Sequence, residues 1–138
     1  MFKEFREFAV KGNMLDLQKW DAALNKHKIL TKSSLAEMWA PTVLNDGDFA
    51  IVNPGDKVPV CYGFGFTVCR RDGCTCIAHS GGWQGFRTHY TRVPELGLSV
   101  VVLANLDVAD PATIGKSILE ICEPRLKDGR KRADSRIP

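Results

Sequence analysis

Apolar residues recur at helical spacing early in the chain and at strand spacing later. Met14, Leu17, Trp20 and Leu24 share one face, with Asp16, Lys19 and Lys26 largely off it, which predicts an amphipathic helix from Met14 to about Lys28. A second, short helix is predicted over 34–39. Ser34 and Glu37 have capping-box spacing, and Pro41 cannot continue the helix beyond Ala40. Asn45 to Pro59 is rich in Asp, Gly, Asn and Pro and reads as a long loop.

The period then changes to two. Tyr62–Arg70 and Cys74–His79 are strand candidates, joined through Arg71-Asp72-Gly73, where Asp-Gly is a strong hairpin signal. Residues 86–93 and 98–104 form further strands across the turn Pro94-Glu95-Leu96-Gly97. Leu98–Ala104 is nearly all apolar, which predicts burial on both faces. Asp110 can cap a last helix with Pro111 at its first position. Ile114, Ile118, Ile121 and Cys122 give that helix an apolar stripe, and Pro124 stops it. The fold class that follows is α+β: an antiparallel sheet of three to four strands, the terminal helix on one face and the helices of residues 14–39 near the other. With Asp72-Gly73 as the loop, Cys69 stands beside Cys76 on one face, as buried thiols packing like small hydrophobes or, under oxidation, as a cross-strand disulfide.

Composition narrows the class. The chain has 138 residues, 44% hydrophobic and 25% charged, enough for one domain with a core that needs no disulfides. Its longest apolar run, Leu98–Ala104, is far too short to span a bilayer, so no membrane role is expected. The net charge of +3 is local: the end from Arg125 to Pro138 carries six Lys/Arg against two Asp, leaving the rest close to neutral. Residues 1–124 are therefore taken as the folded domain and 125–138 as a basic, disordered tail; nucleic-acid binding is not expected. Of the five cysteines, Cys69, Cys74 and Cys76 cluster, but their spacing matches no zinc motif. No metal or cofactor is expected. The charged start Met1–Arg6 has no hydrophobic region of a secretory signal, which fits a cytoplasmic product or a chain whose upstream part was removed.

The most informative stretch is Ile77-Ala78-His79-Ser80-Gly81-Gly82-Trp83-Gln84-Gly85-Phe86, preceded by Tyr62-Gly63-Phe64-Gly65-Phe66 and followed by Leu98 to Asn105. It resembles the end of the β-lactamase, penicillin-binding protein and class C-like esterase superfamily, in which a strand begins Lys or His, then Ser/Thr, then Gly. Upstream, Trp20–Asn25, Leu30-Thr31 and Ser34–Met38 resemble the helical stretch before that strand, so the resemblance covers about residues 12–123. It implies roughly half of the family's catalytic domain. It also implies roles: His79 hydrogen-bonds or shuttles a proton near a reacting serine, and the Ser80 hydroxyl holds a substrate carboxylate or carbonyl. Gly81 lets substrate approach the strand, and the Gly82 N–H donates one oxyanion-hole bond. Trp83 and Phe86 are expected to flank a shallow groove.

The chain departs from the family pattern where the nucleophile should be. Such an enzyme needs a serine one helical turn before a lysine, S-x-x-K, and none occurs here. Thr113-Ile114-Gly115-Lys116 has the spacing with threonine but lies in the terminal helix. Tyr-x-Asn and Ser-x-Asn are missing as well. Three readings stay open: a hydrolase fragment silent by itself, a non-enzymatic self-associating or ligand-binding module, and one part of a split enzyme whose missing N-terminal half supplies S-x-x-K. A two-fold homodimer is expected, because Leu98–Ala104 carries no charge or proline to blunt it as a sheet edge.

Overall fold

The computed structural model describes residues 13–55 and 58–127. Helix α1 (Asn13–Asn25) answers to the first predicted helix and α2 (Lys32–Met38) to the second. The cap of α2 is Thr31 rather than Ser34: Thr31 Oγ1 accepts from the Ser34 N–H at 3.1 Å. Threonine with extended backbone is itself a good N-cap, so the helix starts earlier than the Ser34–Glu37 spacing implied.

Five strands pair antiparallel in sequence order: β1 (Cys61–Tyr62), β2 (Thr67–Arg71), β3 (Cys74–Trp83), β4 (Phe86–Val93) and β5 (Leu98–Ala104). The count exceeds the three to four expected because the run Tyr62–Arg70 folds back on itself at residues 63–66. Gly63 makes the fold-back possible. A Cβ there would lie 2.8 Å from the Met38 carbonyl oxygen and 2.9 Å from that of Ala40, so only glycine lets the chain pass under the end of α2. The Asp72-Gly73 loop closes β2 on β3 as read from the sequence, with both residues at positive φ (48° and 80°) and Cys69 opposite Cys76.

Side chains alternate across the sheet and sort into two layers. Cys69, Cys76, Val93 and Val100 face α3 (Pro111–Cys122) and pack with Leu119 and Leu126. Asp110 caps α3, accepting from the Thr113 N–H at 3.1 Å and hydroxyl at 2.6 Å. The Thr113 bonds hold the Asp110 carboxyl below the usual carboxylate range. Leu126 is buried in a short turn (Pro124–Leu126), so the folded part runs past residue 124; the tail from residue 128 lies outside the described residues.

The opposite face of the sheet meets α1 through a polar knot. Asp21 Oδ1 accepts from Tyr90 Oη at 2.6 Å and Ser99 Oγ at 2.8 Å, and pairs with Arg92 Nη1. Arg92 is 1% exposed and its guanidinium lies 5.9 Å from the Trp39 ring centroid. Burial, then the Asp21 hydrogen bond, pushes the Tyr90 phenol well above its ordinary value.

Two expectations about burial are corrected. Among the described residues, strand β5 pairs with β4 alone, as the expected edge, but it is not buried on both faces: of its residues Val100 alone is buried. The expected stripe of α3 faces outward: Ile114, Ile118, Ile121 and Cys122 are exposed, while Pro111, Gly115 and Leu119 are buried. The helix has two apolar faces one residue apart in phase, and spacing alone does not say which one meets the sheet. Among the described residues, no helix is long and apolar enough to cross a membrane.

Candidate functional site

Strand β3 runs beyond its neighbour. Strand β2 pairs with Cys74–Ala78, whereas β4 pairs with Ile77–Trp83. Among the described residues, β3 therefore has an open edge on the β2 side from His79 onward. The turns decide which backbone groups face it. Both hairpins of β3 have two-residue loops, so Arg71–Cys74 and Trp83–Phe86 are hydrogen-bonded closing pairs. Counting in twos, Cys76 and Ala78 bond to β2, and His79 and Gly81 bond to β4. The N–H and C=O groups of Ser80 and Gly82 point out over the open edge.

Alternation sends the motif's side chains to opposite faces. His79 lies on the α1 face, where its Nε2 is 3.2 Å from Tyr62 Oη and its ring stands edge-on to Tyr62 and Phe66. A groove of about 300 Å³ opens there, lined by Leu17, Trp20, Phe66, His79, Tyr90 and Leu103 among others. Ser80 lies on the α3 face, and its Oγ is 2.8 Å from His89 Nδ1. The far side of that ring, Nε2, is 2.6 Å from Thr91 Oγ1. Burial holds the His89 imidazole below its ordinary value; the Asp110 carboxylate pulls the other way, and nearby His79 adds to the lowering.

Gly81 and Gly82 keep the edge bare. A Cβ at Gly81 would come within 2.5 Å of Thr88 Oγ1, and one at Gly82 would run into the Arg87 guanidinium. The loop after the two glycines is clamped: Asp107 accepts from the Gly85 N–H at 2.9 Å, and its carbonyl accepts from Arg87 Nε at 3.0 Å. Trp83 is 78% exposed and Phe86 40%, so neither is in the core. The groove itself is walled by the α1 residues and the Phe66–Tyr90 pair instead.

The sequence reading missed His89. Its signal was present, because the Gln84-Gly85 loop that pairs Trp83 with Phe86 also sets Ser80 opposite His89. Among the described residues, no three His, Cys, Asp or Glu side chains gather as metal ligands.

A family model described as Beta-lactamase matches residues 5–122. The chain belongs to the β-lactamase family. Two relatives are similar to it. Penicillin-binding protein 4* of Bacillus subtilis (strain 168) is 28% identical over 91 residues, which is 65% of this chain and 18% of that protein. Unguisins hydrolase ungD' of Aspergillus campestris (strain IBT 28561) is 26% identical over 99 residues, 70% of this chain and 18% of that protein. The matched part is thus under a fifth of either relative's length. No solved structure matches the chain. Residues 79–81 lie within the matched stretch, and the sheet with helices on both faces agrees with a β-lactamase-like α+β architecture.

Proposed function

We propose that this chain is the C-terminal part of a β-lactamase-like serine hydrolase and supplies the substrate-binding edge of its active site, without the nucleophile. The observation that carries this reading is the open edge of β3, with the backbone of Ser80 and Gly82 facing it and no side chain on Gly81 or Gly82. A substrate carbonyl brought to that edge meets the Gly82 N–H as an oxyanion donor. The Ser80 hydroxyl takes a carboxylate or carbonyl of the substrate, and His79 offers a ring nitrogen beside the reacting group. The substrates are those of the family: β-lactams, D-amino-acid peptides or esters.

Catalysis needs a serine–lysine pair, and these 138 residues contain no S-x-x-K. The chain is therefore silent by itself, and another polypeptide segment provides the pair. Nitrocefin and p-nitrophenyl acetate are the assays, on the wild type and His79→Ala. Both should stay near buffer; turnover that disappears in His79→Ala would show that the chain holds a nucleophile of its own.

A second reading, self-association as a two-fold dimer, is favoured by β5. Among the described residues this strand is a sheet edge without a charge; Leu103 on it is exposed, as are Leu106 just after it and Ile114, Ile118 and Ile121 of α3. Pairing of two β5 edges covers both the unpaired backbone and this apolar surface. Sedimentation at micromolar concentration should report a dimer that Leu103→Lys weakens; a monomeric wild type ends this reading.

A further inference from the structure

The geometry points to His89 as a positioning residue that turns the Ser80 hydroxyl outward, as a donor to an anionic group of a ligand held at the open edge of β3. This deepens the binding-edge reading given above and rests on it. The argument is one of hydrogen accounting along Ser80, His89 and Thr91. Thr91 is 5% exposed, and among the described residues the partner of its hydroxyl is His89 Nε2, at 2.6 Å. A buried hydroxyl proton without an acceptor is costly, so Thr91 donates to Nε2. A neutral imidazole carries one N–H, and with Nε2 accepting, that N–H must be at Nδ1. Nδ1 is 2.8 Å from Ser80 Oγ and donates to it. Ser80 then accepts from the ring and keeps its own proton, on an exposed side chain at the strand's open edge.

This wiring is the reverse of a nucleophile and its general base, where the imidazole must accept the hydroxyl proton. It makes Ser80 a binder. A carboxylate is the fitting chemical class: it accepts and never donates, and the Gly82 N–H faces the same edge as a further donor. The ring has little freedom to take another role. A Cβ at Gly115 of α3 would stand 3.1 Å from His89 Cδ2, so the glycine in mid-helix is what lets the helix lie against the imidazole.

The test separates the wiring from the ligand. Long-range proton–nitrogen NMR of the full chain should show the His89 N–H at Nδ1 alone, and Thr91→Val, which removes the donor that holds Nε2 as an acceptor, should let both tautomers appear. N-acetyl-alanyl-alanine, with a free carboxylate, should bind the wild type and bind Thr91→Val roughly threefold more weakly, because Ser80 donates to the ring in the released tautomer. The same dipeptide as its amide should bind both proteins equally weakly. His89→Asn, whose side-chain amide can donate in place of Nδ1, should retain binding that His89→Ala loses, which guards against a variant that merely unfolds. A wild-type N–H at Nε2, or labelling of Ser80 by a fluorophosphonate, overturns the wiring while leaving the edge reading intact. The expected tautomer without any carboxylate-dependent binding overturns the ligand assignment and the edge reading together.

Discussion

Asp21→Ala should be among the most damaging single substitutions in this chain. One carboxylate oxygen, Asp21 Oδ1, receives Tyr90, Ser99 and Arg92, which are 69, 78 and 71 residues away in sequence. Arg92 depends on it: the guanidinium side chain is 2% exposed, and Arg92 Nε has no hydrogen-bond partner. Removing Asp21 leaves a buried cation facing two hydroxyls and the Trp39 ring. Loss of one partner of a buried ion pair costs about 3–5 kcal/mol, a large part of the roughly 5–15 kcal/mol that stabilises an ordinary domain. With an m-value near 2 kcal/mol/M, the urea midpoint should fall by about 2 M. The exposed Lys19–Asp16 pair, with side chains 77% and 75% accessible, is the internal control. Lys19→Ala should change stability by less than about 0.5 kcal/mol. The double variant Asp21→Leu with Arg92→Met removes both charges and should recover much of the loss. An Asp21→Ala cost below about 1 kcal/mol, or a double variant no better than the single, would refute the view that the knot is a desolvated charge pair joining α1 to the sheet.

Other consequences are open to direct measurement. Gly115→Ala, normally a stabilising change inside a helix, should instead cost about 1–3 kcal/mol in a thermal melt because the new methyl meets the His89 ring. Gly63→Ala should destabilise by at least as much, since its methyl meets two backbone carbonyls that cannot swing away. Because the folded-state imidazole of His89 titrates below its unfolded value, its contribution is complete above about pH 6.5 and is lost as the pH falls through the folded value; His89→Gln should flatten that part of a stability–pH curve. Ellman's reagent should modify exposed Cys122 at once and the buried Cys69 and Cys76 only on unfolding, because the hydrogen bond with Cys69, and then burial, raise the Cys76 thiol far above its usual range.

How much of this was legible in the sequence depended on the range of the interaction. The hairpins were legible because a two-residue loop fixes both its own geometry and every pairing behind it; Asp72-Gly73 set Cys69 against Cys76. Helix α3 was legible at its ends, where Asp110 and Pro111 mark the start, and misread along its length. Its isoleucines were assigned to the core, while Gly115 and Leu119 hold that place. What decides between the two faces is the ring of His89 waiting beneath Gly115, a contact between residues 26 positions apart that no local spacing records. The Asp21 knot was invisible for the same reason. Asp21 has no reading of its own in the sequence beyond the stretch Trp20–Asn25, and its three partners lie on strands that come much later in the chain. The division of Tyr62–Arg70 into two strands likewise came from the passing backbone at Met38 and Ala40.

The motif itself acquires a different meaning once it is placed in the sheet. Read as a string, His79-Ser80-Gly81 suggests neighbours acting together. In a strand, adjacent side chains leave by opposite faces, and here they do: His79 sits among Tyr62, Phe66 and Tyr90, and Ser80 against His89. Neither face contains both groups. They can serve one ligand only across the edge of β3, and the edge is open only because β2 stops pairing at Ala78. Under the proposed function, the two glycines matter as the absence of side chains along that edge, where a ligand would come within hydrogen-bonding distance of the backbone. The length of β2 is thus as much a part of the site as the motif. A β2 extended by two residues would pair with Ser80 and close the edge, although every motif residue would still be in place.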